Sequence, residues 1–426
     1  MSSPSSNQEY DSEYNSNNTN IDDASQVRKY VLNTTVSRDM MLNYYSSNMK
    51  YKINLDNVST VEEEYALFEL YIASLPSNTS IITIEETNLT HLPDLTRFTL
   101  LQQLHCTNNK LTELPQLNWS RNLSVLYCSG NNLTELPSLP TNLRELYCNK
   151  NNLTELPSLP KTLRDLSCSN NRLIRLPTLN HELRVLFCDN NTLSELPKLN
   201  NNLMSLKCGY NNLSKLPNLN NLKKLYCDHN NLSELPQLND DLERLFCSYN
   251  NLTKLPSLPD KLTHLTCNKN NLTELPSLPH KLTQLTCGDN KLTSLPKIND
   301  NLYHLYCDQN NLTELPYVNN LQLIFCVNNK LMTFPDLNKL NLLYCNNNPI
   351  VDAINNLSSD EMVKCGKILH QFKHLFYSLK FKGKFRRWFW IQKEKIAMEK
   401  YSPDNLEALL INVEDDSEFQ EALDRW

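Results

Sequence analysis

The feature that most constrains this chain is a segment of about twenty residues that recurs thirteen times. Its clearest copy occupies residues 123–142, and its general form is L-x-x-L-x-C-x-x-N-x-L-x-x-L-P-x-L. Successive cysteines are 22 residues apart once and 19 or 20 residues apart elsewhere, which excludes coincidence and predicts a stack of similar units. The repeat cysteines are Cys106, Cys128, Cys148, Cys168, Cys188, Cys208, Cys227, Cys247, Cys267, Cys287, Cys307, Cys326 and Cys345.

Each copy has two physical halves. Leu126, Tyr127 and Cys128 alternate apolar, outward and apolar, which is typical of a short strand with one buried face. Three residues later Asn131 marks a turn, where its amide can donate to and accept from backbone groups of stacked neighbours. The second half, residues 133–140, carries two prolines and is expected to be extended. A single copy cannot bury its own leucines, so the copies must stack.

This pattern resembles that of leucine-rich repeat proteins, in particular the short class with L-P-x-L-P punctuation known from secreted bacterial effectors. Here cysteine takes the third leucine position, and the resemblance covers residues 81–350. It implies a solenoid with one continuous parallel β-sheet on the concave side and an extended convex side, and we expect helical caps at both ends.

The thirteen repeat cysteines form one inward-facing column, and three interpretations of them are open: disulfides, a metal array, or small buried apolar side chains. Disulfide geometry needs Cβ atoms about 3.8 Å apart, and a metal needs converging ligands, neither of which suits a linear column. We favour buried thiols in a reducing compartment.

Composition narrows the function further. The chain has 41 basic and 47 acidic residues, so it does not have the charge of a nucleic-acid-binding protein overall. It has five glycines and neither a G-x-G-x-x-G nor a P-loop pattern, and we expect no cofactor and no metal. The sequence begins without a signal-peptide pattern and has no apolar run of membrane-spanning length, which predicts a cytoplasmic protein.

Two segments precede the repeats. Residues 1–26 are polar and acidic, which predicts a disordered tail. Residues 27–80 are predicted to form a helical cap, since a capping-box pattern at Thr60 is followed by Val61, Tyr65, Phe68 and Ile72 at helical spacing. The alternative is an adaptor motif that recruits a ubiquitin ligase, although the proline-led pattern of such motifs is missing.

Residues 351–426 form a basic segment of helical spacing with an acidic end. Residues 380–390 interleave aromatic and basic side chains, which suits phosphates of nucleic acid or of a membrane surface, or else closes the last repeat. The pattern R-R-W-x-W followed by K-Y-x-P-D-N-L resembles the tails of proteins from giant DNA viruses of amoebae. That resemblance implies a viral protein acting in the host-cell cytoplasm.

The position just before the repeat cysteine is aromatic in eight of thirteen copies, whereas aromatic residues are scarce elsewhere in the repeat. Its side chains are expected to point out of the concave sheet, in two clusters separated by Thr266 and Thr286. Such aromatics either stack along the sheet or mark a protein-binding face. The predicted partner-binding residues are Tyr127, Tyr147, Phe187, Lys207, Tyr226, Phe246, Tyr306, Phe325 and Tyr344.

The sequence therefore predicts a non-catalytic scaffold, expected to be a monomer, that binds another protein on its concave face. Binding of nucleic acid or a membrane through the basic segment is one alternative, and a role in ubiquitin ligation is another. Bacterial proteins of similar repeats can carry a ligase domain with a Cys-x-Asp nucleophile, but here Cys365 is followed by Gly366 and Lys367.

Overall fold

The computed structural model describes residues 61–317, 320–332, 334–335 and 340–349. Fourteen short strands form one parallel sheet in chain order, each paired only with its neighbours in sequence. The predicted tail 1–26 and C-terminal segment 351–426 lie outside the described residues, as does most of the 27–80 region. The strands are β1 Ile81–Thr83, β2 Gln103–His105, β3 Val125–Tyr127, β4 Glu145–Tyr147, β5 Asp165–Ser167, β6 Val185–Phe187, β7 Ser205–Lys207, β8 Lys224–Tyr226, β9 Arg244–Phe246, β10 His264–Thr266, β11 Gln284–Thr286, β12 His304–Tyr306, β13 Leu323–Phe325 and β14 Leu342–Tyr344.

Every pair of neighbouring strands in the sheet has the same register. Leu126 pairs with Leu146, and the same central position is aligned in every neighbouring pair of strands. This central residue faces the core, together with the cysteine that follows each strand from β2 onward. Because successive residues of a strand point to opposite faces, the first and third strand residues lie on the concave face.

A ladder of buried asparagines joins the repeats, as predicted. The Oδ1 atom of Asn131 accepts a hydrogen bond from the Leu111 amide of the preceding repeat at 3.0 Å. Its Nδ2 atom donates to the carbonyls of Cys106 and Cys128 at 2.9 and 3.1 Å. The same arrangement recurs through Asn348, so backbone groups freed by the turn are satisfied inside the stack.

The convex side is extended, in agreement with the prolines of the second half-repeat. Between residues 81 and 348 the described part of the chain contains no helix. The leucines of this half complete the core: Leu133 is fully buried, and Leu136 is 8% exposed.

The turn that follows each strand uses the left-handed backbone conformation. The second residue after the repeat cysteine has a positive φ in every described copy, including Gly130 at 68° and Lys150 at 53°. The amide of Lys150 donates to the Ser169 carbonyl of the next repeat at 3.0 Å, which places this turn in the inter-repeat hydrogen-bond network. This regularity was not anticipated from the sequence.

Helix α1, Val61–Ser74, precedes β1 at the first end of the solenoid, and the predicted cap over residues 27–80 stays a prediction. Its residues Phe68 and Ile72 are buried in the same core as the repeats. Arg97 fixes the end of the helix, because its guanidinium donates to the carbonyls of Ile72, Ala73 and Leu75, the last at 2.7 Å.

The first repeat is degenerate, as its sequence indicates. Ile84 takes the cysteine position and is fully buried, and Thr87 takes the place of the ladder asparagine and hydrogen-bonds to Asn109. The copy that contains Cys106 is two residues longer than most of the others, and we place the extra residues near Trp119. The Trp119 side chain is partly buried and packs against the core.

Candidate partner-binding face

All nine predicted binding residues lie on the concave face, each as the last residue of its strand. Eight of them are half-buried, and Tyr344 is 45% exposed. The parallel register aligns the last strand position of neighbouring repeats, so these nine side chains lie in a single column along the solenoid. The structure divides this column into three clusters.

The first cluster contains His105, Tyr127 and Tyr147. Their ring centroids are 4.6 and 4.7 Å apart, with the rings edge to face. The Tyr127 hydroxyl donates to the Glu145 carboxylate at 3.1 Å. This cluster therefore combines aromatic edges with acidic neighbours.

The middle cluster is built around a lysine. The Lys207 ammonium lies 4.7 Å from the ring centroid of Phe187 and 5.4 Å from that of Tyr226, so it is held between two rings. Tyr226 and Phe246 stack with centroids 4.7 Å apart at an interplanar angle of 16°. Cation–π contacts of this kind hold the long lysine side chain in place.

The third cluster is apolar. Tyr306, Phe325 and Tyr344 follow one another with centroid distances of 6.3 and 5.1 Å. Beside them the first strand residues are Leu323, which is half-buried, and Leu342, which is 45% exposed. Large exposed apolar side chains grouped in this way are typical of contact surfaces.

The prediction of two aromatic clusters is wrong; there are three. Thr266 and Thr286 do separate the middle and third clusters. The first and middle clusters are also separated, because Ser167 is buried and its hydroxyl donates to Asn149 at 2.7 Å. Lys207 does not interrupt the column, since its ammonium bridges the rings on either side.

The charge of the concave face changes along its length. The first residues of β4 and β5 are Glu145 and Asp165, whereas those of β8 and β9 are Lys224 and Arg244. Burial, with a contribution from Glu145, raises the pKa of Asp165, and the opposing effects of Arg184 and Arg164 are smaller. The middle of the face at β8 and β9 is therefore basic, and it follows an acidic stretch at β4 and β5.

A second row of side chains, absent from the predicted site, flanks the middle cluster. We call Tyr210, His229, Tyr249 and Lys269 the rim row; each is the second residue after its repeat cysteine. The three rings stack with centroids 4.0 and 3.8 Å apart, at 14° and 15°, and the Lys269 ammonium lies 4.5 Å from the Tyr249 ring centroid. The sequence did contain one indication of this left-handed turn: several other copies have Asn or Gly at the same position.

The thirteen repeat cysteines are free and buried, as the preferred interpretation predicted. Burial raises the pKa of Cys148, Cys267 and Cys345 to about 12. Several thiols are also close to a carbonyl of the next repeat, such as Cys106 Sγ at 3.3 Å from the Tyr127 oxygen. These side chains act as protonated core residues rather than as nucleophiles.

Within the described ranges, no group of three or more His, Cys, Asp or Glu side chains could hold an ion. In the same part of the chain, no helix is both long and apolar enough to cross a bilayer.

These features decide the fold. It is that of a leucine-rich repeat protein. Among solved structures, the chain is similar to YopM from Yersinia enterocolitica, with 37% identity and a TM-score of 0.61 over 64% of this chain and 60% of that one. The present chain therefore spans less than two thirds of that structure's length. A leucine-rich effector protein YopM from Yersinia pestis matches at 29% identity and a TM-score of 0.56, over 73% of this chain and all of that one.

A third similar structure is the functional domain of InlJ from Listeria monocytogenes, at 29% identity and a TM-score of 0.55, over 68% of this chain and 73% of that one. That domain is described as including a cysteine ladder, which parallels the cysteine column here. These structures support the bacterial-effector type of leucine-rich repeat. No family model and no curated protein matches the chain. The resemblance of the C-terminal segment to viral proteins stays a prediction.

Proposed function

We propose that this protein is a non-catalytic interaction scaffold that holds another protein on the concave face of its sheet. The observation that carries this proposal is the column of aromatic side chains, which occupy the last strand position in eight of the thirteen cysteine repeats. Leucine-rich repeat solenoids generally serve as binding scaffolds, and extended concave surfaces are what such repeats offer a partner. Tyr and Trp are also enriched among residues that dominate binding energy.

The competing explanation is that the aromatic column only stabilises the sheet. Neighbouring aromatic pairs contribute about 0.5–1.5 kcal/mol each beyond their burial. That explanation accounts for stacking, but not for the 45% exposure of Tyr344 and Leu342 in the third cluster. Nor does it explain why the accompanying strand residues change from acidic to basic to apolar along the face.

The test uses a displayed library of random peptides of about twelve residues, long enough to cross four strands when extended. The library is selected on the full chain, and the selected peptides are resynthesised for affinity measurements. The double variant Tyr226→Ala/Phe246→Ala is expected to weaken their binding about tenfold or more. The control, Ile174→Ala/Tyr317→Ala, removes two side chains that are each 62% exposed outside the strands, and should bind normally.

Selected peptides whose affinity is the same for both double variants would contradict the concave-face proposal, as would failure to select any peptide. Urea unfolding of each variant checks that the sheet is intact.

The alternative of phosphate binding through residues 380–390 stays open, because these residues lie outside the described part of the chain. It makes a separate prediction: binding to single-stranded nucleic acid or anionic vesicles should fall steeply with added salt. Such binding should be unchanged in Tyr226→Ala/Phe246→Ala.

A further inference from the structure

The rim row occupies a backbone conformation that its side chains disfavour. Tyr210, His229, Tyr249 and Lys269 have φ values of 50°, 52°, 53° and 48°. Residues with a Cβ rarely adopt this left-handed region, and Gly, Asn and Asp tolerate it best. The nine other copies have Asn five times, Gly once and Asp once at this position, and Lys150 and Gln309 in the remaining two. Local strain of this kind is often retained at functional sites.

The rim row is also exposed. Tyr210 and Tyr249 are each 41% exposed, although they stack on the ring of His229 between them. Because the ring faces cover one another, the row presents ring edges to solvent, with the Lys269 ammonium at one end. This arrangement suits contact along the row rather than insertion of a flat ligand between the rings.

Between the rim row and the middle cluster the surface is recessed, because Gly209 and Ser248 there are buried. We use the word groove for this strip together with the first strand residues Lys224 and Arg244, which lie on the other side of the middle cluster. Its floor is the residue directly after each repeat cysteine: Gly209, Asp228, Ser248 and Asn268. At Gly209 an added Cβ would lie 3.0 Å from the Asp228 carbonyl oxygen, which is tighter than an ordinary van der Waals contact. Asp228 Oδ1 accepts the Ser248 amide hydrogen at 2.8 Å, which engages that carboxylate within the floor.

The groove is basic and has acidic boundaries. Four cationic residues belong to the strands and rim of these four repeats, against the single carboxylate of Asp228 in the floor. Lys223 and Glu243, which have opposite charges, directly precede β8 and β9. Asp189 precedes the groove, and Asp289 and Asp308 follow it. A positive surface enclosed in this way favours a short acidic ligand. The four cations are Lys207, Lys224, Arg244 and Lys269.

We propose that this groove binds a short, extended, acidic segment of the partner protein. The proposal rests on the concave-face function and adds the partner's chemistry and its position over repeats 208–269. Four strands about 4.8 Å apart accommodate roughly five extended residues. The carboxylates of the segment meet Lys224, Arg244 and Lys269, while its backbone and apolar side chains contact the edges of Tyr210 and Tyr249.

The experiment uses the same library and full-length protein, with the double variant Tyr210→Asn/Tyr249→Asn. Asparagine occupies this position in other repeats, so the substitution preserves the turn while removing the rings. The matched control is Gln309→Asn, at the same position two repeats beyond the row, with φ 51°. Affinities of the resynthesised peptides and melting temperatures are measured for all three proteins.

The proposal predicts that selected peptides are enriched in Asp and Glu. It also predicts that Tyr210→Asn/Tyr249→Asn weakens them about tenfold while the melting temperature is unchanged or higher, and that Gln309→Asn has no effect on affinity. Neutral or basic peptides, or unchanged affinity, would overturn this proposal while the scaffold function survives through its dependence on Tyr226 and Phe246. A lower melting temperature or loss of folding in the rim variant would show the row to be architectural, which also overturns it.

Discussion

At the scale of single residues, each of the thirteen regular repeats has the smaller side chain of cysteine at a core position where leucine-rich repeats usually have leucine. Each thiol lies between the thiols of its neighbours, and burial is the largest influence on its protonation. For Cys128, burial raises the pKa first, and the adjacent Cys148 and Cys106 raise it further. A thiolate in this column would be both desolvated and close to other titratable sulfurs, so the protonated form is favoured.

Thiol reactivity should reflect this burial. In the native protein at about pH 7.5, we expect at most one of the fourteen cysteines to react rapidly with an aromatic disulfide reagent, because thiolate is the reactive form. All fourteen should react in denaturant, and Cys365→Ser, which alters the cysteine outside the column, should remove any fast phase. Rapid labelling of several thiols without unfolding would contradict the buried column.

Asp228 should make stability depend on pH. Burial raises the pKa of this carboxyl to about 6, while hydrogen bonds from Ser248 act in the opposite direction. The folded state thus holds the proton more tightly than the unfolded state, so stability falls as pH rises from about 4 to about 6 and stays lower above that range.

Asp228→Asn should remove this penalty. Asn149, at the equivalent position, accepts the Ser169 amide hydrogen in the same way at 2.9 Å. We expect the free energy of unfolding to rise by on the order of 1 kcal/mol at about pH 7.5 and to be unchanged near pH 4, as measured by urea unfolding. The exposed control Asp260→Asn should have little effect at either pH. Equal stabilisation at both pH values would contradict the proposed titration.

At the scale of elements, the asparagine ladder joins each turn to the next. Asn250 donates to the carbonyls of Cys227 and Cys247 at 3.0 and 3.2 Å, and accepts from the Leu232 amide at 3.0 Å. One side chain therefore satisfies backbone groups from two repeats. Since the strands have three residues each, these side-chain bonds are a substantial part of what fixes each turn.

Replacing a ladder asparagine should be costly. Asn250→Ala leaves the buried Leu232 amide and two carbonyls without this partner, and each unsatisfied buried group costs about 1–3 kcal/mol. We expect a loss of roughly 2–4 kcal/mol by urea unfolding. The neighbouring Asn251 is exposed, so Asn251→Ala should cost far less. Similar losses for the two variants would argue against the ladder.

The sequence predicted those parts of the molecule that depend on periodicity and local chemistry. The cysteine column, the asparagine ladder and the extended second half-repeat each recur at a fixed place in the repeat. Two prolines in that half are enough to exclude a helix on the convex side. The rim row was missed because hydrophobic spacing does not report backbone handedness, although Asn190 and Gly130 at the equivalent place indicated a left-handed turn. Arg97 binds the end of a helix more than twenty residues away, and Lys207 contacts rings in two other strands. The sequence of a single repeat does not reveal such contacts between distant residues.

At the scale of the whole molecule, the fold is close to one-dimensional. Fourteen strands about 4.8 Å apart give a solenoid roughly 65 Å long, in which each turn contacts its neighbours. The core is nearly uniform, so differences along the chain lie on the concave face: acidic at β4 and β5, basic at β8 and β9, and apolar at β13 and β14. Under the proposed function, different parts of one partner would bind along this surface in a defined order.

The central claim, that the middle of the concave face and its rim hold the partner, is tested most directly by lysine footprinting. The full chain is acetylated with and without a saturating amount of the best selected peptide, and modification is measured by mass spectrometry. We predict protection of Lys207, Lys224 and Lys269, with no change at Lys215 and Lys254, which are exposed on the extended half-repeats. Protection confined to Lys215 and Lys254, or no protection at the first three lysines, would contradict the account.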